Sequence, residues 1–385
     1  MKLNDLLTPA LILDKARLAR NTMAMTKHAR GLGVDLRPHL KTAKSSEVAK
    51  LALSGNAGGI TVATMREAEY FFDNGISDIT YAACIVPAKL DRVAALNARG
   101  ADVKLITDNA DVAAAIAGHG GAFKVLIEID CGEHRTGILP DGAALLEIAV
   151  ILDAAPAVEL AGVLTHAGHS YSCRGKEAIE AVAEEERAAV VEAAERLRAA
   201  GHPCATVSTG STPCVMVARD LTGVTEVRPG VYMFGDMFHA GLGTRRVDEI
   251  AVSVLASVIA HREDDNQLYI DAGGLALSKD RATGAFDDDS GGEHGDCGYG
   301  LVCDAETCAP IPGLYVAAVH QEHGMVTVAE KEAPLPFSRL PVGAKVRVLP
   351  NHVCMTSAAY DEYNVIDGDE DSAEVITTWG RCNGW

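Results

Sequence analysis

The chain has 385 residues, with 34 Lys and Arg against 53 Asp and Glu, a formal charge of −19 at neutral pH. Hydrophobic residues make up 48% and charged ones 23%, which excludes disorder and suits a folded protein long enough for two domains. The acidic excess argues against nucleic acid and anionic membrane as partners, and no run of about 18 apolar residues offers a bilayer span.

Met1–Asp5 opens neither a basic nor an apolar leader, and the ten cysteines form no C-x-x-C pair. Both point to a cytoplasmic setting with mostly buried free thiols. Short β-branched runs then alternate with Ala-rich stretches of helical period. The predicted strands are 35–37, 59–63, 79–82, 102–106, 123–129, 160–165, 206–208 and 225–228. The predicted helices between them are 65–74, 87–98, 109–119, 143–154 and 177–200, the last stopping at Gly201. Strands separated by helices imply right-handed crossovers and a parallel sheet, and eight of them predict a (β/α)8 TIM barrel. No G-x-G-x-x-G follows the first strand, against a dinucleotide-binding sheet.

After Gly235 the rhythm changes to strands at 250–260, 268–270, 314–316, 325–328 and 345–349, with an acidic Gly-rich loop over 280–300. The expected division is therefore a barrel over 1–245 and a smaller, mainly β domain over 246–385. Function in such a barrel gathers where strand C-termini meet the following loops. The first strand ends in Arg37-Pro38-His39-Leu40-Lys41-Thr42, the fifth in Glu128-Ile129-Asp130 followed by His134-Arg135, and the sixth in Thr165-His166-Ala167-Gly168-His169-Ser170-Tyr171. The seventh ends in Thr209-Gly210-Ser211-Thr212 and the eighth in Arg228-Pro229-Gly230-Val231.

Thr-Gly-Ser-Thr-Pro alone reads as a turn. After strand seven, paired with a Gly after strand eight, it reads as the phosphate seat of this fold. Lys41 at the mouth loses hydration and becomes nucleophilic toward a carbonyl, whereas Lys44 reads as a surface lysine. A phosphate seat with a strand-end lysine is what pyridoxal phosphate requires. His352-Val353-Cys354 follows the strand 345–349. Alternating residues of an extended segment point one way, so imidazole and thiolate could share an ion, zinc suiting that donor pair. By spacing alone such a pair is more often structural than metal-binding. His320-Gln321-Glu322-His323 reads as a further ligand source or as polar loop.

In order and spacing these motifs resemble the fold-type III, alanine racemase-like pyridoxal phosphate enzymes. The match is nearest the zinc-dependent D-serine dehydratase and D-threo-3-hydroxyaspartate dehydratase group, with the D-threonine aldolases next. The resemblance also rests on Thr8–Asp14, Asp271-Ala272-Gly273, Gln321–Gly324 and Pro350–Cys354. It implies that Lys41 forms the Schiff base with pyridoxal 5′-phosphate. Thr209, Gly210, Ser211, Thr212, Gly230 and Val231 would hold the phosphate. His166, Arg135 and Tyr171 would lie by the cofactor, and an arginine near the pyridine nitrogen would keep it unprotonated. It also implies zinc, or another divalent metal such as manganese, on His352 and Cys354, and a homodimer.

The implied activity is loss of water and ammonia from a small D-β-hydroxy amino acid such as D-threo-3-hydroxyaspartate or D-serine, giving a keto acid. The alternatives are retro-aldol cleavage to glycine and an aldehyde, and a non-catalytic pyridoxal phosphate-binding protein. The aldolase pattern carries His-x-Asp-Pro-Thr and a longer phosphate loop, where this chain has His352-Val353-Cys354-Met355-Thr356 and Thr209–Pro213. Both features favour the dehydratases. Ala272–Ala276 lacks the bulky aromatic that the dehydratases carry there, which bears on the choice of substrate.

Overall fold

The computed structural model describes residues 1–56, 58–286, 295–330, 333–369 and 371–385. The centre of the expected acidic loop, residues 287–294, lies outside the described residues. Two compact units emerge: Met1–Thr22 with Val231–Asn383, and Met23–Gly230 with Gly384–Trp385. They differ from a division at residue 245, because the amino-terminal strand β1 (Ala10–Asp14) enters the second sheet before helix α1 (Lys15–Gly31). Neither β1 nor α1 is among the predicted elements.

The unit Met23–Gly230 holds eight parallel strands. They are β2 (Asp35–Leu36), β3 (Ile60–Val62), β4 (Asp78–Cys84), β5 (Asp102–Thr107), β6 (Phe123–Ile129), β7 (Val158–Thr165), β8 (Thr206–Thr209) and β9 (Glu226–Val227). The order β2-β9-β8-β7-β6-β5-β4-β3 would leave two edges. A parallel bridge from His39 to Thr61 joins them. Thr61 N–H donates to the Pro38 carbonyl at 2.9 Å, and Leu40 N–H to the Thr61 carbonyl at 2.8 Å. The sheet therefore closes into the expected barrel, which removes its edges.

Helices α2 (Ser46–Leu53), α3 (Met65–Asp73), α4 (Leu90–Ala98), α5 (Ala110–Gly118), α6 (Ala144–Asp153) and α7 (Lys176–Ala199) alternate with these strands. Thr64 caps α3 and Asn109 caps α5 through side-chain oxygens, so those starts are written in the sequence. Helix α2 is a short addition to the prediction. Along α7 the buried positions Ile179, Val182, Ala183, Glu186, Val190, Ala193, Ala194 and Leu197 form one helical stripe. Each large aliphatic side chain so buried contributes about 1.5–3 kcal/mol. Glu186 is the exception within it.

A buried charge cluster ties the seam of the barrel. Arg37, 6% exposed, donates to Glu226 on β9 at 2.7 Å and makes two bonds to Asp78 on β4 at 2.8 and 3.1 Å. Lys104 on β5 reaches the same Asp78 at 2.5 Å. Lys44 is not a surface lysine: its ammonium pairs at 2.7 Å with Glu67, which is wholly buried.

The unit Met1–Thr22 with Val231–Asn383 holds a nine-stranded, mainly antiparallel sheet. Its later strands are β10 (Val252–Arg262), β11 (Gln267–Ile270), β12 (Gly300–Asp304), β13 (Pro310–Val319), β14 (Gly324–Val328), β15 (Lys345–Pro350), β16 (Glu362–Asp367) and β17 (Asp371–Gly380). β1 sits centrally, antiparallel to β10 and parallel to β16. The predicted strands all appear, and β1, β12, β16 and β17 enlarge the sheet. Among the described residues no helix is long and apolar enough to cross a membrane.

Burial raises the Asp78 carboxyl, but the hydrogen bonds and charges of Arg37 and Lys104 outweigh it and hold the group at about 2. A depressed carboxylate stabilises the fold above its unfolded value near 3.8, and that stabilisation is lost as pH falls toward 2. Asp78→Asn should therefore lose less stability than the parent between about pH 4 and pH 2, read from urea midpoints across that window. Arg37→Met, which strands buried Glu226, should cost about 3–5 kcal/mol in the same assay.

Candidate active site

The barrel brings strand-end residues together in the order the sequence suggests. Lys41 follows β2 and is exposed, and its backbone N–H lies 3.4 Å from His39 Nδ1. The segment before it is held on both sides, by Arg37 N–H to Val227 O and His39 N–H to Pro229 O, each 2.9 Å. Burial, then the positive charges of Lys41 and Arg228, hold His39 well below its ordinary value. Burial, then Lys41, Arg135 and Arg228, hold His166 at about 3. Two neutral imidazoles thus stand beside one amine at neutral pH.

Arg228 opens the strand-eight motif, but the sequence assigns it no role. It is 4% exposed, and its guanidinium donates to Ser208 Oγ at 2.5 Å and to the Thr165 carbonyl at 2.7 Å. Its buried Nε has no protein partner among the described residues. Its one signal is its place at the end of the eighth strand. Arg135 is exposed and pairs with Glu133 at 3.3 Å. Tyr171 is half-buried in the short 3-10 turn Gly168–Ser172.

Thr209, Gly210, Ser211, Thr212, Gly230 and Val231 are all buried. Ser211 caps helix α8 (Thr212–Val217) by accepting from Cys214 N–H at 3.1 Å, and its hydroxyl lies 2.9 Å from Ser170 Oγ. Gly230 N–H donates to Thr212 Oγ1 at 3.2 Å. A Cβ at Gly230 would stand 2.8 Å from the His39 carbonyl, and one at Gly210 would stand 2.9 Å from Arg228 Nη2. Glycine is thus needed at both places for close approach.

Glu186, from the stripe of α7, accepts from Ala167 N–H and Gly210 N–H at 3.0 Å each. It fixes the loop after β7 to the loop after β8, and burial raises its carboxyl despite those bonds. A glutamate at an apolar-stripe position was the available sign of this role. Lys41 flanked by uncharged imidazoles, an orphaned Arg228 Nε and a cradle of small residues fit pyridoxal phosphate, the cofactor of this family.

In the other unit, the expected extended segment at 352–354 is corrected. His352 is the extended N-cap residue of a short helix α11 (Val353–Ser357), so Cys354 lies in its first turn. The two side chains remain neighbours all the same, since Cys354 acts on the imidazole's proton affinity. His352 Nδ1 lies 2.6 Å from Asp280 Oδ2, so Nε2 is the ring nitrogen that this carboxylate does not engage. Burial lowers the imidazole's proton affinity, but Cys354, Asp236 and Asp280 outweigh it and bring the group up to about 10. Asp236, fully buried, accepts from Val353 N–H at 3.0 Å and from His239 N–H at 2.9 Å, anchoring the start of α11. Imidazole and thiol side by side, one steadied by a carboxylate, fit a divalent metal.

His320–His323 instead form an exposed turn between β13 and β14. Their backbone carbonyls accept from Gly274 and Leu275 N–H. A Cβ at Gly273 would clash with that turn's backbone, whereas one at Gly274 would meet mainly the Lys279 side chain. Cys84, Asp108 and Glu128 also converge at strand ends. There the thiol donates to Glu128 at 2.9 Å, and burial and the carboxylates push its proton affinity up, which suits a protonated thiol rather than a ligand.

A closed barrel with a strand-end lysine and a separate antiparallel sheet define the alanine racemase-like class. The chain belongs to the family that joins an alanine racemase N-terminal domain, matched over residues 13–237, to a putative serine dehydratase domain, matched over 251–366. It is 43% identical over 383 residues to D-threo-3-hydroxyaspartate dehydratase of Delftia sp. strain HT23, covering 98% of each chain. The solved structure of the enzyme from Delftia sp. HT23 superimposes with a TM-score of 0.94 over 100% of both chains. A cysteine-to-alanine variant of a D-threo-3-hydroxyaspartate dehydratase has been solved in a metal-free form, at TM-score 0.94 and 42% identity over 100% of each chain. D-serine dehydratase of Dictyostelium discoideum is 30% identical over 403 residues, covering 100% of this chain and 98% of its own. D-threonine aldolase of Filomicrobium marinum is 26% identical at TM-score 0.83, covering 99% and 97%.

Glu186→Leu leaves two buried N–H groups without an acceptor, at about 1–3 kcal/mol each. It should lower the urea midpoint and weaken retention of pyridoxal phosphate, read by dialysis and absorbance.

Proposed function

We propose that this protein is a pyridoxal phosphate- and metal-dependent dehydratase of a small D-β-hydroxy amino acid, such as D-threo-3-hydroxyaspartate or D-serine, releasing a keto acid and ammonia. The observation that carries the reading is Lys41 at the barrel mouth beside His39, His166 and Arg228, in a chain related end to end to dehydratases. When bound, the cofactor is an electron sink for the α-carbon and the metal a Lewis acid for a poor leaving group.

Lys41 Nζ would hold the cofactor, and as a free amine at the same place would take the α-proton. His39 and His166, whose proton affinities burial and the neighbouring cations hold far below that of an amine, do not compete for that proton. Arg228, bonded to Ser208 and Thr165, would face the cofactor and, near its ring nitrogen, would keep that nitrogen unprotonated. Ser211, Thr212, Gly230 and Val231 seat the phosphate, with Thr209 and Gly210 shaping the loop, and Arg135 and Tyr171 border the cofactor. His352 and Cys354 hold the metal, zinc by the nitrogen and sulfur donor pair, with Asp280 fixing the imidazole. A thiolate donor in place of the aldolase carboxylate favours dehydration over retro-aldol cleavage. A homodimer in the cytoplasm belongs to the same reading.

Purified protein given D-threo-3-hydroxyaspartate, D-serine or D-threonine should yield keto acid and ammonia from the first two. Glycine and aldehyde as the main products would replace dehydratase by aldolase. Lys41→Ala should remove the yellow absorbance of the bound cofactor together with turnover. Asp280→Asn should weaken metal retention about 10–100-fold against a competing chelator, with the cofactor still bound.

A further inference from the structure

The hairpin from β12 to β13 puts two thiols side by side in the antiparallel unit, and nothing in the proposed reaction uses them. Cys303 is completely buried on β12, and Cys308, 5% exposed, begins the return to β13. The intervening turn is stiff. Asp304 Oδ1 accepts from the N–H groups of Glu306 and Thr307 at 3.1 and 2.9 Å, and Cys308 N–H donates to the Asp304 carbonyl at 3.0 Å. Both cysteines lie in one buried cluster with Met237, Ile250, Cys297 and Leu349, and Cys303 Sγ lies 3.7 Å from the Leu301 carbonyl.

Directly across from Cys303 on β15 stands Arg347, the largest fully buried side chain of the molecule's described residues. Its Nε donates to Ser253 Oγ at 2.8 Å, and no carboxylate among the described residues pairs with it. A buried guanidinium without a counter-charge is costly. A thiolate at this pair supplies one. The Cys303 neighbour, and then Arg347 and Arg17, outweigh burial and the Asp14 carboxylate and bring Cys308 below the ordinary thiol value, while Cys303 is driven upward. Cys308 also forms part of the wall of a cavity of about 470 Å³, with Thr307, Arg17, Arg245 and Arg246 around it. One residue of the pair therefore borders open space, while the other is sealed in the sheet.

We propose that Cys308 is a hydroperoxide-reactive thiolate with Cys303 as its resolving thiol, a reversible oxidation site in the antiparallel-sheet unit. The Cys308 sulfur attacks the terminal oxygen of the hydroperoxide and the O–O bond breaks. The departing oxygen takes a proton from solvent and leaves as water or alcohol, with Cys308 as a sulfenic acid. The Cys303 sulfur then attacks the sulfenic sulfur, the S–O bond breaks, and hydroxide leaves with the Cys303 proton as water. One hydroperoxide is reduced by two electrons, and two thiols become one disulfide.

The test uses the cofactor- and metal-loaded protein, so that Cys354 stays occupied, treated with stoichiometric hydrogen peroxide. Remaining thiols are then alkylated in urea and the peptides weighed. The expected result is a 303–308 peptide two mass units lighter and unalkylated, restored to two alkylatable thiols by dithiothreitol. In Cys303→Ser, dimedone should label Cys308, whereas in Cys308→Ser it should leave Cys303 unlabelled. Native iodoacetamide at pH 7 should reach Cys308 about tenfold faster than buried Cys297. Full alkylation of 303 and 308 after peroxide has consumed Cys84 or Cys173 overturns the proposal, as does equal dimedone labelling of Cys303. The wild-type arm needs no variant to fold.

Discussion

The seam where the barrel closes sets the position of the reactive amine at its mouth. β2 is two residues long, too short to hold its place by ladder bonds alone. Arg37, the next residue, binds Glu226 and Asp78 and so joins the first strand to the eighth and third. Two residues further on, His39 completes the ring against Thr61. Lys41 inherits its position from these constraints. A lysine on so short a strand would otherwise ride on a loop, and preorganisation of an amine requires a fixed backbone.

Charge is distributed against the overall balance. The chain carries −19, yet Lys41, Arg135 and Arg228 act together on His166 and lower its proton affinity. The histidines are thereby kept neutral without a carboxylate beside them. Deep burial contributes the larger share, since an imidazolium inside the barrel would lose its hydration. The result is three cations gathered around His166 in an acidic protein, which suits an anionic cofactor and a carboxylate-bearing substrate.

Much of this was legible in the sequence because barrel strands and helices are local signals. All eight parallel strands and helices α3 to α7 follow from β-branched runs, Ala-rich stretches and caps such as Thr64 and Asn109. β1 was not legible, since its partners lie more than two hundred residues away on β10 and β16. For the same reason the two compact units do not divide at 245. The site residues lay at strand ends, where the fold's own rule points. Those missed share another property: Arg228, Glu186, Asp236 and Asp280 act through tertiary bonds to partners that no local pattern names. Lys44 was misread because its partner Glu67, although only 23 residues away, faces the interior of the next turn of the barrel.

Buried carboxylates do similar work in both units, and this explains why so acidic a chain places some of its acids where water cannot reach. Glu186 commits its charge to two backbone N–H groups, and Asp236 to the first N–H of α11 and to His239. Neither is free to act as a base, because each is held by donors that would be left unpaired if it moved. In the proposed reading the chemistry falls instead to the Lys41 amine and to the imidazole and thiol at 352 and 354. Rigid anchoring by one class of charge keeps another class reactive. That separation accounts for why the anchors sit on helices and turns behind the loops, while the reactive groups stand at strand ends and at a helix start.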